Sequence, residues 1–214
     1  MNPYLQSAIY TSLIFLLGIL IGIWVDTYRL GLVQESTSLI DISSTDARLL
    51  NNLIEEFGTE HCNYALEQNL AFNDRIYREG LEIENKIEAN IFTPQIEQEW
   101  RQYTLLQLQF LLNSETLKEK CGFDYQNVVH FFRLQDRLSD DVNDKVQSAV
   151  LLELKEVCGN KIMLIPITVD VDLVSVAALV GRNQITEFPA VIVDEDRVFQ
   201  GVTSLPELRE VVGC

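Results

Sequence analysis

The stretch from Ala8 to Val25, AIYTSLIFLLGILIGIWV, contains no charged side chain. Wound as a helix at ~1.5 Å per residue, its 18 residues reach about 27 Å, enough to cross most of a bilayer core of about 30 Å. Tyr4, Tyr10, Trp24 and Tyr28 bracket the run as interfacial aromatics do, and Asp26 and Arg29 close it. A cleaved signal peptide needs a basic start, a shorter apolar core and a small-x-small site, none of which is present. The expectation is an uncleaved, single-pass anchor occupying residues 1–30, with the lipid bilayer as its partner through residues 8–25.

Gly18 and Gly22 have the GxxxG spacing that lets two membrane helices approach, so a homodimer through this face is one reading. The alternative is that they are simply glycines in a span. No Lys or Arg precedes the run, whereas Arg29 and Arg48 follow it. Taken literally, the positive-inside rule places the C-terminal bulk in the cytoplasm.

Asp and Glu number 32 against 16 Lys and Arg, a net charge of −16 that falls wholly on the residues after the apolar run. Such a surface repels phosphate backbones, and no basic cluster with interleaved aromatics offsets it. Nucleic acid is therefore not an expected partner.

Three amphipathic helices are expected over residues 31–122. The first follows N-cap candidates Ser43 and Ser44, carries Leu49, Leu50, Leu53, Ile54 and Phe57, and closes at Gly58. A second, from about Glu60 to Phe92, has Leu66, Leu70, Tyr77 and Leu81 on one stripe and Ile76, Ile83, Ile87 and Ile91 on the next. The third starts with Thr93 as N-cap and Pro94 in the first turn, and its apolar residues are Ile96, Trp100, Tyr103, Leu105, Leu108 and Leu112. Short connections predict an antiparallel helical unit.

From about residue 123 the pattern changes. NVVHFF reads as a strand, and Asp140 to Val157 as a helix with Val142, Val146, Ala149, Val150 and Leu154 inward. KIMLIPITV is a second, buried strand, and Asp172 to Val180 a short helix closed by Gly181. PAVIV and RVFQGV follow as strands, and Ser204 caps a last helix ending at Val212. Helical crossovers want parallel pairing, whereas the tight acidic turn DEDR forces the last two strands antiparallel. An α/β unit with a mixed four-stranded sheet and helices on both faces follows for residues 123–214.

That element order, with Pro189 just before the third strand and Gly201 late in the fourth, resembles the thioredoxin fold. The matching stretches are VVHFF, MLIPITVDVD, ITEFPAVIV and VFQGV. The exit GIWVDTYR and the run YTLLQLQFLLNSETLKEKCG further resemble small membrane-anchored thioredoxin-like proteins of archaea. The resemblance implies a cis peptide bond at Pro189. It also implies a surface that pairs with an extended peptide, lined here by Phe188, Pro189, Ala190, Leu138 and Ser139. Main-chain pairing of that kind needs no thiol.

Thioredoxins carry CxxC between the first core strand and the next helix, whose N-terminus stabilises the attacking thiolate. Here that stretch is FFRLQDRLSDDVNDKV, with RLSD at 137–140 and no cysteine. Cys158 lies at the far end of the same helix, roughly 27 Å from its start, and cannot reach the site. Cys214 reads as a leftover terminal cysteine, although a tail folding back is conceivable. Cys62 and Cys121 would meet if their helices pack antiparallel, and a bridge there would require an oxidising compartment, against the arginine bias.

His130 reads as a satisfied core histidine, and His61-Cys62 lacks the ligand spacing of a zinc site. The carboxylates Asp136, Asp140, Asp141 and Asp144 surround a helix start, where the helix dipole favours them. No nucleotide-binding, nucleophile-elbow or zinc-protease motif occurs, so no metal, cofactor or enzyme class is signalled. The sequence thus predicts a membrane-anchored, redox-inactive thioredoxin-like module that binds a protein or peptide. Its alternative is a thiol–disulfide oxidoreductase working through Cys214 or the Cys62/Cys121 pair.

Overall fold

The computed structural model describes the backbone of residues 3–57, 62–88, 94–134, 142–194 and 196–214. Side chains of residues 26–41, and of some scattered helical residues, lie outside that description. The chain forms two compact units, residues 1–40 and 41–214.

The first helix, α1, is continuous from Pro3 to Phe57. This corrects the expectation of a separate helix capped at Ser43 or Ser44: the backbone stays helical through both positions. Serine is tolerated inside a helix at a cost of only tenths of a kcal/mol, on the order of its propensity deficit. The described side chains of the apolar run, Ile9 to Val25, are largely exposed, as are Ile42, Leu49 and Leu53 further along. Among the described residues no helix is long and apolar enough to cross a membrane. Ala8, the first residue of the sequence's apolar run, is outside the described side chains.

Helices α2 (Cys62–Glu88) and α3 (Pro94–Cys121) form a hairpin. It is pinned at its open end by the Cys62–Cys121 disulfide, with a Cα separation of 5.7 Å. Ile76 and Ile83 on α2 pack with Ile96, Trp100, Leu106 and Phe110 on α3. Gly80 permits the close approach, because a Cβ there would collide with the Tyr103 hydroxyl. Three expected core positions instead face outward: Tyr77 is 58% exposed, Leu112 57% and Leu105 39%. On α3 the buried stripe is set by Trp100 and its neighbours one and two turns on, and Leu105 and Leu112 fall off it; on α2 the buried stripe is Ala65, Phe72, Ile76 and Ile83, and Tyr77 falls off that one. Gly58, Thr93 and His61 lie outside the described residues, as do the side chains of Leu81, Ile87 and Ile91.

The sheet has the order β2-β1-β3-β4. Strand β1 (Gln126–Phe132) runs parallel to β2 (Ile162–Thr168) and antiparallel to β3 (Ala190–Val193), which pairs antiparallel with β4 (Arg197–Gln200). Helix α4 (Val142–Cys158) makes the crossover from β1 to β2. A 3₁₀ turn, Gly159–Lys161, follows it, and α5 (Val174–Arg182) and α6 (Leu205–Val212) complete the unit. This is an α/β arrangement with the mixed four-stranded sheet and the element order that the sequence implies.

Side-chain alternation along β1 sorts the core. Val129 and Phe131 join Ile165, Ile167 and Ile192 in a cluster with α3 and α5. Val128 faces the other way, toward Leu151 and Leu154 of α4 and Leu208 and Val212 of α6. Each fully buried side chain of this size contributes about 1.5–3 kcal/mol relative to exposure.

The inward face of α4 differs from the expected one. Val142 is 68% and Val146 43% exposed, Ala149 is also exposed, and Val150 is only partly buried. The buried residues are Asp144, Gln147, Leu151, Leu154 and Cys158. Polar groups take the inner face because partners wait there: Gln147 Oε1 accepts the Thr203 N–H at 2.7 Å, and Asp144 Oδ1 lies 3.4 Å from His130 Nε2. A hydrophobic pattern cannot register a buried, paired carboxylate. Ser204 is the N-cap of α6, but its side chain makes no capping hydrogen bond. The short helix α5 runs on past Gly181 to Arg182.

Candidate functional site

The Phe188–Pro189 peptide bond is cis. It places Pro189, itself buried, at the foot of β3, with Ala190 fully buried beside Phe131 of the central strand. Proline is confined to strand starts and edges because it cannot donate to a ladder, and position 189 meets that restriction. The Pro189 carbonyl accepts the Gly201 N–H at 2.8 Å, and Gly201 adopts φ +79°, which favours glycine.

The loop before the proline is held by one side chain. Gln200 Oε1 accepts the Thr186 N–H at 2.8 Å and the Glu187 N–H at 3.0 Å, as well as the Thr186 hydroxyl at 3.1 Å. Next to it, Phe188 is half-buried against the core, and the Arg133 guanidinium lies 4.8 Å from its ring centroid. That distance is within the range of a cation–π contact. Among the described residues the Phe188 main chain makes no hydrogen bond.

The end of β1 is fixed as well. The Phe132 carbonyl accepts the Val169 N–H at 2.9 Å, and Asp170 Oδ1 accepts the Leu134 N–H at 2.8 Å. Asp170 therefore anchors the point where the chain leaves the sheet toward RLSD. Arg101 of α3 steadies the same region from outside, donating to the Val171 carbonyl at 2.7 Å and pairing with Asp172 at 3.1 Å.

Of the sequence candidates, Phe188 and Pro189 sit on this loop and Ala190 opens β3; Phe188 is partly exposed, whereas Pro189 and Ala190 are buried and do not line a surface. Leu138 and Ser139, with Asp136, Asp140 and Asp141, lie outside the described residues. Sequence reasoning missed Arg133 and Gln200. Gln200 carried a faint signal, as a polar residue in a strand next to the glycine that bonds the proline. Arg133 carried none, since one arginine after an apolar strand is unremarkable.

All four cysteines are paired, and none falls in the sequence between β1 and α4. Cys214 is bridged to Cys158, which corrects its reading as a leftover terminal residue. The cause is the packing of α6 beside α4, whose ends bring the two Cα atoms to 5.5 Å. His130 is 2% exposed, its ring 5.4 Å from that of Phe132.

No family model matches this chain, and neither does any curated protein.

Among solved structures, the chain is similar to one described only as a malarial protein, at 16% identity, covering 42% of this chain and 94% of that one, with a TM-score of 0.34. A second is thioredoxin-2, a component of the malaria parasite protein secretion machinery, at 16% identity, 42% and 82% coverage and a TM-score of 0.35. A third is chloroplastic thioredoxin z, at 17% identity, 43% and 79% coverage and a TM-score of 0.35.

Proposed function

We propose that this protein is a membrane-anchored thioredoxin-like module that binds an extended peptide segment and performs no thiol chemistry. The observation that carries the reading is the state of the cis-proline loop. Its backbone is fixed by Gln200 and Gly201, while the Phe188 main chain stays available for pairing. A peptide laid along it gains main-chain hydrogen bonds of the β-augmentation kind without needing a cysteine. Phe188 is the residue of the loop proposed to meet the peptide, beside the buried Pro189 and Ala190, while Leu138 and Ser139 are carried into the proposal by the sequence resemblance alone.

The anchor is residues 8–25, whose apolarity supports a span. Two disulfides in one chain support an oxidising compartment for residues 41–214, against the weak arginine bias. Gly18 and Gly22, with no atom within 4 Å of an added Cβ, leave room for a second copy of the anchor helix.

A fluorescence-anisotropy screen of cysteine-free extended peptides against the full-length protein in nanodiscs tests the binding reading. Phe188→Asp is expected to raise the Kd of any hit about tenfold or more, by placing a charge where the peptide backbone approaches. Hits whose Kd is indifferent to Phe188→Asp would remove the loop as the site.

A further inference from the structure

On the opposite side of β1 from the α3-packed core, the helical hairpin and α4 stand apart across the edge strand β2 and leave a cavity of about 430 Å³. The cavity is open to solvent on one side, where Tyr77 and Leu152 are each more than half exposed. Leu151, Leu152, Leu164 and Pro166 give it apolar walls, and Tyr77 and Tyr103 line it from α2 and α3. His130 also lines it, with its Nε2 directed to Asp144 at 3.4 Å.

One group is out of keeping with this lining. Gln107 on α3 borders the cavity at 2% exposure, and its Nε2 has no hydrogen-bond partner among the described residues. A buried amide donor without an acceptor carries its full desolvation cost, and native structures seldom leave one so. An acceptor in the cavity would relieve it.

The charges narrow the acceptor. Lys155, which also lines the cavity, is engaged in the protein, donating to the Gly159 carbonyl at 2.8 Å and the Ile162 carbonyl at 2.7 Å. Asp74 and Glu156, both exposed, also line the cavity, so its rim is acidic and disfavours an anion. We infer that the cavity is a binding site for a small uncharged acyl compound, an apolar body bearing one carbonyl, which accepts from Gln107 Nε2. This site does not depend on the cis-proline loop.

The pair 3-phenylpropanamide and 3-phenylpropanoate shares a skeleton and differs in charge. Ligand-observed NMR with full-length protein in nanodiscs, referenced to empty nanodiscs, reads saturable binding of each. The amide is expected to bind and the acid to bind at least tenfold more weakly. Gln107→Leu, which keeps the volume and removes the donor, weakens the amide about fivefold or more, as loss of one hydrogen bond does. Leu152→Trp, at a half-exposed helix position where folding is not at stake, obstructs the cavity and abolishes binding. The inference is overturned by absence of saturable amide binding, by equal binding of the acid, or by amide affinity unchanged in Leu152→Trp or in folded Gln107→Leu.

Discussion

Trp100 Nε1 donates a 2.7 Å hydrogen bond to Thr168 Oγ1, and both residues are buried, at 1% and 0% exposure. The contact fastens α3 to the end of β2, directly before the Asp170 that fixes the exit of β1. Replacing Trp100 with Phe keeps most of the apolar volume but strands the Thr168 hydroxyl. An expected loss of about 1–3 kcal/mol follows from leaving a buried polar group unpaired. Chemical denaturation checks it, and Thr168→Val in the Trp100→Phe background should recover part of the loss.

The two disulfides close loops of sequence separation 59 and 56. By the chain-entropy estimate each contributes about 4 kcal/mol by restricting the unfolded chain. Replacing Cys158 and Cys214 together with Ser should lower the denaturation midpoint about as much as replacing Cys62 and Cys121 together. In the native protein, alkylating reagents should find no thiol until a reductant is added.

Tyr125 is buried beside α3, donating to the Ser114 carbonyl at 2.9 Å and accepting from the Ser114 hydroxyl at 3.1 Å. Burial pushes its pKa from 10.0 up to about 12, against the opposing Ser114 hydrogen bond. A phenol that ionises later in the folded than in the unfolded chain favours folding below pH 10. The advantage is lost as the pH climbs from about 10 toward 12. Phenolate absorbance should show one late-titrating tyrosine, absent in Tyr125→Phe, and stability should fall across that window less steeply in the variant.

How far the sequence discloses this fold depends on which signal each element carries. The strands are legible because VVHFF and MLIPITV are apolar on both faces, as strands buried between helix layers must be. The cis-proline loop is legible because a proline between a polar turn and a buried strand has few permitted places. Helix α4 misleads on its inner face, where Asp144 and Gln147 displace valines because His130 and the Thr203 amide need partners. Periodicity cannot see such pairing. Cys214 misleads for a related reason: its partner Cys158 becomes a neighbour only once α6 packs on α4.

Residues 8–25 lead to a fourth expectation. If they span a bilayer, the full chain should sediment with membranes, resist carbonate extraction and be released by detergent. Replacing Leu16 and Leu20 with Arg should abolish retention, because each charge near a bilayer centre costs about 2.5–3.5 kcal/mol on the insertion scale. Retention unaffected by that change would mean the run does not span.

The proposed function is peptide binding without electron exchange. Dithiothreitol-driven reduction of a disulfide-bonded protein substrate, followed by turbidity with full-length protein in nanodiscs, tests it most directly. The expected rate equals that of the reductant with empty nanodiscs. A catalysed rate that is lost on Cys214→Ser or on Cys62→Ser would contradict the claim.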